Sequence, residues 1–98
     1  MKQIIFDWDE GNIEHTTRRG ITLSEIEFVL SNDPMVKPDH YPAEIEERWN
    51  AIGQNEVGRF VFIVFTFREI SEVLKMRPIT ARYMHDKEVR KYERQRTE

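Results

Sequence analysis

The chain has 98 residues, 39% hydrophobic, 11% aromatic and 34% charged, with 4 Gly and 4 Pro. That composition excludes a disordered or linker-rich polymer. The length allows one domain, expected to span 1–98, with a single core and a radius of gyration of roughly 13 Å. The formal charge of −3 speaks against a nucleic-acid partner, because phosphate contacts need a basic surface. The total conceals a gradient: residues 1–57 carry 5 Lys/Arg against 12 Asp/Glu, and residues 58–98 carry 10 against 6. The second half therefore supplies a positive local field that the sum hides. Cysteine is absent, which excludes disulfides, a Cys-ligated metal and a Cys nucleophile, and fits a reducing cytoplasm. The N-terminus lacks the apolar core of a signal peptide. No apolar run approaches the ~18 residues that would cross a membrane.

In chain order, residues 4–6 (Ile-Ile-Phe) read as a first strand. Asp9 is placed to cap a helix over residues 10–19, and Gly20 closes it. Thr22 or Ser24 caps a second helix, with Glu25 in its first turn. Leu23, Ile26, Val29 and Leu30 give that helix an apolar stripe, and Asn32-Asp33-Pro34 ends it. Residues 35–42 hold a short edge strand and a loop. Residues 46–53 alternate as a strand, and residues 54–58 form a hairpin turn. Residues 59–68 form the strongest strand, apolar on both faces. Such a strand needs a curved sheet, a helix on each side, or a second chain over the exposed face. Residues 69–72 turn, and residues 73–83 return as a last strand, with Pro78 demanding an edge position or a bulge. His85 or Asp86 opens a final helix through Arg96, carried by Val89 and Tyr92. The class is α+β: a small antiparallel sheet with two N-terminal helices and one C-terminal helix, the helices on one side.

The residues that carry chemistry are arginines. His15, His40 and His85 are too dispersed for a metal motif, and no Asp-x-Asp spacing exists. The glycines sit singly, with no nucleotide fingerprint, and no nucleophile elbow supports a Ser/His/Asp triad. No cofactor is expected. Arg48, Arg59, Arg68, Arg77 and Arg82 lie in or at the ends of the three C-terminal strands. The guanidinium is a rigid five-donor fork suited to phosphate. Arg77 and Arg82 are five apart, which on a regular strand sends them to opposite faces. The last helix adds Lys87, Arg90, Lys91 and Arg94. No basic helix-turn-helix pair is present, so direct DNA binding is not expected.

In order and spacing, several segments resemble one family. They are residues 6–15 (Phe-Asp-Trp-Asp-Glu-Gly-Asn-Ile-Glu-His), Arg18-Arg19-Gly20-Ile21-Thr22, Glu47-Arg48 with Ile52-Gly53, Gly58-Arg59, Ile79-Thr80-Ala81-Arg82, and Lys87-Glu88 followed by Tyr92-Glu93. The chain resembles the BrnT-like ribonuclease toxins of bacterial type II toxin–antitoxin modules. The resemblance implies a RelE-like fold and metal-independent RNA cleavage. It also implies a cognate ribbon-helix-helix antitoxin, through which alone the toxin meets DNA, and it leaves room for a homodimer of the free chain. Cleavage without metal requires a base for the ribose 2′-OH, cationic donors at the phosphate and a proton for the 5′ oxygen. On that reading Arg59, Arg68 and Arg82 stabilise phosphate charge, and His85 is the proton carrier. Arg48, Arg77, Tyr83, Lys87, Arg90 and Tyr92 bind substrate.

Three features depart from the family pattern, one being that His85-Asp86 stands where relatives carry a more basic stretch. Relatives read Lys/Arg-His-Gly where this chain has Arg18-Arg19-Gly20, and Arg exchanges no proton near neutral pH. Pro78 interrupts the strand that leads to Arg82. The alternative is therefore a catalytically weakened toxin-fold protein that acts as a protein-binding module. If the basic half binds RNA, binding and cleavage should fall steeply as salt rises. A titration from low to high salt by fluorescence anisotropy checks this; a flat response would remove the site from that half.

Overall fold

Both N-terminal helices form where the sequence supplies the two halves of a cap. The computed structural model describes residues 3–97. In α1 (Glu10–Thr17) the Asp9 carboxylate accepts from Asn12 N, while Asn12 Oδ1 accepts from Asp9 N. In α2 (Leu23–Ser31) Thr22 and Glu25 form the same reciprocal pair. Four antiparallel strands follow: β1 (Met35–Pro38), β2 (Trp49–Gln54), β3 (Phe60–Ile70) and β4 (Val73–Tyr83), side by side in chain order. A last helix, α3 (Asp86–Thr97), closes the described chain. The class is α+β, with a radius of gyration of 13.6 Å.

The core lies between α2 and one face of the sheet. Ile21, Ile26, Val29 and Leu30 pack on Ala51, Val61, Ile63, Phe65 and Ala81. Each fully buried Ile, Leu, Val or Phe contributes about 1.5–3 kcal/mol, so this face sets the register of β2, β3 and β4. Between β3 and β4 the register shifts: Val64 faces Thr80, but Phe65 faces Pro78. Ile79 is the extra residue of a bulge. Pro78 has no N–H to give the ladder. Its carbonyl accepts from Asn12 Nδ2 at 2.9 Å, and the same amide nitrogen donates to Asp7 O at 2.9 Å.

The structure corrects the sequence reading in five places, the first being that β3 runs past residue 68 to Ile70, because Glu69 and Ile70 pair with Leu74 and Val73, and the turn expected over 69–72 shrinks to Ser71 and Glu72. Residues 4–6 form no strand beyond an isolated parallel bridge, Phe6 to Met76, because Asp7–Asp9 leave the sheet edge to cap α1. α1 stops at Thr17 rather than residue 19, as Gly20 at φ +89° closes it by donating its N–H to Thr17 O. β2 starts at Trp49 rather than residue 46, since Ile45 and Glu46 turn back to hydrogen-bond Pro42 O. The helices do not share one side. α3 packs against the opposite face, where Tyr92 meets Phe60 edge-on with ring centroids 5.5 Å apart. Of the explanations for a strand apolar on both faces, a helix on each side is the one realised for Phe60.

Ser71 and Glu72 join β3 to β4 as a two-residue turn, at φ +52° and +65°. Such turns favour Asn-Gly, because L side chains strain there. The double substitution Ser71→Asn, Glu72→Gly should raise unfolding stability by about 1–2 kcal/mol, read as a higher urea midpoint at unchanged slope.

Candidate functional site

In an antiparallel sheet, paired residues share a face and neighbours alternate. Arg82 pairs with Phe62, and Arg77 pairs with Thr66. Phe62 and Thr66 are four apart, so Arg77 and Arg82 lie on the same face. The expectation of opposite faces fails because the bulge at Ile79 adds one residue and resets the alternation. The same register places Lys75 opposite Arg68 and Lys37 opposite Asn50, which in turn faces Val64. By register all five strand cations, Lys37, Arg68, Lys75, Arg77 and Arg82, fall on the face opposite the one that α2 covers, although Arg77 reaches Asp7 and Asp9 at the start of α1. The one strand carboxylate, Glu69, pairs with Leu74 on the other face. Asn50, at the centre of the cationic face, is 9% exposed, and its Oδ1 has no hydrogen-bond partner among the described residues.

Where α3 crosses this face, Glu88 organises the chemistry. Its two oxygens accept from both terminal nitrogens of Arg82, each at 2.8 Å, and Oε1 also accepts from His85 N at 3.0 Å. Arg82 in turn lies over the Phe62 ring, 4.7 Å from its centroid. The Arg82 fork, with help from the His85 N–H, holds the Glu88 carboxyl down at about 2. Beside this pair is a cleft of about 250 Å³ lined by Lys37, Phe62, Met84, Lys91 and Tyr92 among others. His85 is exposed at the N-cap of α3, its carbonyl accepting from Val89 N.

Of the residues singled out from sequence, Tyr92 lines this cleft, and Arg82 (by its guanidinium) and His85 (by its backbone N–H) are bonded to Glu88, which lines it too. Arg68 does not: it sits six residues along β3 from Phe62, about 20 Å at the usual strand rise. Arg59 and Tyr83 form a separate cluster at the other side of the sheet. The Arg59 guanidinium stacks 3.6 Å over the Tyr83 ring, and Tyr83 Oη donates to Glu25 at 2.8 Å. That bond to a carboxylate raises the Tyr83 hydroxyl above its ordinary value. Burial pushes Glu25 up, but donation from Asn55, Tyr83 and Thr22 outweighs it, leaving the carboxyl lowered. Arg48 stacks 3.7 Å from the Tyr41 centroid and pairs with Glu46 at 2.8 Å. Arg77 pairs with Asp9 at 2.9 Å and Asp7 at 3.3 Å. Its hydrogen bond with Asp9 lowers the Asp9 carboxyl and raises the guanidinium. Lys87 and Arg90 are exposed on α3.

Sequence reasoning missed Glu88 and Glu25 as anchors. The signal for Glu88 was present: a carboxylate three residues after the cap of α3 reaches back to the cap N–H. The signal for Glu25 was only its capping position, because Asn55 and Tyr83 arrive from distant parts of the chain. Among the described residues no three His, Asp or Glu side chains gather in a way that would hold a metal ion. No helix among them is long and apolar enough to cross a membrane.

A family model described as the ribonuclease toxin BrnT of type II toxin–antitoxin systems matches residues 8–88. No curated protein matches the chain.

The lowered Glu88 carboxyl has a pH consequence. Its stabilising contribution is complete above the ordinary value of 4.5 and is lost as pH falls towards about 2. Glu88→Gln should therefore flatten the dependence of thermal stability on pH in that window while leaving the curve above pH 5 parallel to the parent. Melting curves across pH 2–6 check this.

Proposed function

The chain belongs to the BrnT ribonuclease toxin family of type II toxin–antitoxin systems, and on that premise we propose that it is a metal-independent endoribonuclease acting on the cationic face of the sheet. The single observation that carries the reading is the gathering of the strand cations on one face by register, with Arg82 and the His85 N–H both bonded to Glu88, which lines a cleft at the end where α3 crosses. RNA follows Lys37, Arg68 and Lys75 by phosphate contact. Arg82 spends two of its five N–H donors on Glu88 and turns the remaining three on the scissile phosphate, where they offset charge as the 2′ oxygen attacks phosphorus. Glu88, held ionised to about 2, is too weak a base to take the 2′ proton. His85, at the cap of α3 next to Glu88, is the proton carrier of this reading, removing that proton or returning one to the departing 5′ oxygen. The bond from phosphorus to the 5′ oxygen breaks, leaving a 2′,3′-cyclic phosphate and a 5′-hydroxyl. Arg59, stacked on Tyr83, holds a flanking phosphate. The neutralising partner is a ribbon-helix-helix antitoxin, through which alone the chain meets DNA, and the module works in the cytoplasm.

A second reading keeps the fold without the turnover. The Arg82 fork is already met by a carboxylate at 2.8 Å, so an incoming phosphate competes with Glu88, and a protein-binding module would look the same at rest.

Purified chain in excess EDTA should cut RNA to products with 2′,3′-cyclic ends. Arg82→Ala should lower the rate at least about 100-fold, and His85→Ala by about 100-fold or more. Parent activity no greater than that of Arg82→Ala would leave only the binding-module reading.

A further inference from the structure

β2 covers β3 only from Phe60 to Phe65. Among the described residues, the β3–β4 ribbon beyond that pairs only with itself, apart from the Phe6 bridge to Met76. Large apolar side chains on this projecting arm lie in solvent: Ile70 is 41% exposed, Val73 39% and Leu74 62%. Ile70 and Val73 face each other across the turn. By register they share the cationic face with Arg68 and Lys75, which have no ion pair or ring contact among the described residues. Leu74 is on the reverse face with Glu69. An aliphatic pair next to two uncompensated cations is an unusual surface to leave bare.

The arm's chemistry selects its occupant. A second copy stacked on this face with its arm alongside would bring Arg68 and Lys75 up to the same two cations of the other arm, so like charges oppose that pairing. RNA gains from stacking on aromatic rings and from phosphate contacts, and gains little from Ile and Val. A polypeptide segment with apolar residues on one side and carboxylates beside them satisfies both features at once. We propose that the Ile70–Val73 face of the β3–β4 arm docks an acidic amphipathic segment of the antitoxin. The segment anchors on Ile70 and Val73 and pairs with Arg68 and Lys75. From there it lies along the cationic face towards Arg82, so that neutralisation and RNA binding exclude one another. The proposal rests on the reading of that face as the RNA surface, but the docking site itself is tested apart from catalysis.

The probe is the purified product of the reading frame adjacent to this one, titrated by calorimetry into the full chain and its variants. Ile70→Asp with Val73→Asp should weaken binding at least about 30-fold, the loss expected for a hot spot. In the uncharged pair Ile70→Ser with Val73→Ser, RNA cleavage without the partner should stay within about 2-fold of the parent. Leu74→Asp, at the same height on the reverse face, should leave partner affinity within about 3-fold. Circular dichroism of each variant separates misfolding from lost contact, and Ile70→Ser with Val73→Ser repeats the test more gently. Unchanged partner affinity in the Ile70/Val73 variants would overturn the proposal, as would equal losses from Leu74→Asp. A dimer of the free chain abolished by Val73→Asp, or RNA affinity lost with partner affinity kept, would assign the arm to those occupants instead. A parent chain that binds the partner through Ile70 and Val73 yet cleaves no RNA would refute the catalytic reading and leave the docking site standing.

Discussion

Pro78 brings no N–H to the ladder between β3 and β4, so the strand cannot continue there in regular register. The chain answers with an extra residue, Ile79, and with the side-chain amide of Asn12. That amide donates to the Pro78 carbonyl and to Asp7 O, while its oxygen accepts from Asp9 N. Asn12 is 5% exposed, so these bonds form in a low dielectric where an unmet group would cost about 1–3 kcal/mol. One side chain thus ties the N-terminal segment, the cap of α1 and the bulge of β4 together. The consequence reaches well beyond local stability. A bulge of one residue changes which side chains of β4 face which way. Without it, Lys75 and Arg77 would lie on the core face, leaving Arg82 with only Lys37 and Arg68 on its side of the sheet.

The charge arithmetic takes its physical meaning from this arrangement. The acidic surplus belongs to the N-terminal half, the basic surplus to the part that builds β3, β4 and α3. Within the sheet the separation is sharper still, since the cations fall on one face and Glu69 on the other. A phosphate responds to that local field and not to the total of −3. The arginines are also restrained in place. Arg59 and Arg48 stack on tyrosines, Arg82 rests on Phe62 and is gripped by Glu88, and Arg77 is met by Asp7 and Asp9. Fixing a guanidinium plane in advance removes part of the rotamer entropy that binding would otherwise cost. It also makes the cations unequal: Arg77, flanked by two carboxylates, is mainly a fastening for the N-terminal segment, whereas Arg68 and Lys75 stay uncompensated.

α3 and the β3–β4 arm bracket the same face from opposite ends. α3 is held by little apolar material: Tyr92 is 7% exposed, but most of the helix is charged and in solvent. Its attachment to the sheet depends on Tyr92 against Phe60 and on Glu88 with Arg82. The arm has the opposite character, with strong backbone pairing and exposed apolar side chains. One end of the face therefore carries a polar anchor next to a titratable histidine, and the other an apolar anchor with free cations. Those are different tasks, and a toxin that must both bind RNA and be silenced has use for each.

Much of this was legible from residue order alone. Asp9 and Thr22 announce the starts of the helices, and Gly20 the end of the first, because caps and left-handed closures are local chemistry. The apolar run of β3 and the span of β4, residues 73–83, follow from side-chain type over a few neighbours. The chemical identity of the site, arginine with one histidine at a helix cap, is also local. What residue order could not decide is where each arginine points and what it touches. Residues 4–6 read as a strand but make one bridge, because the cap of α1 outcompetes the sheet edge. Glu88, Glu25 and Asn12 gained their roles from partners 6 to 66 residues away. Face and register depend on one inserted residue, and strand alternation amplifies that single step into a reversal of every side chain beyond it. The amino-acid sequence determined the kinds of groups this protein carries; only the tertiary structure, through the bulge at Ile79, decided that Lys75 and Arg77 share a face with Arg82.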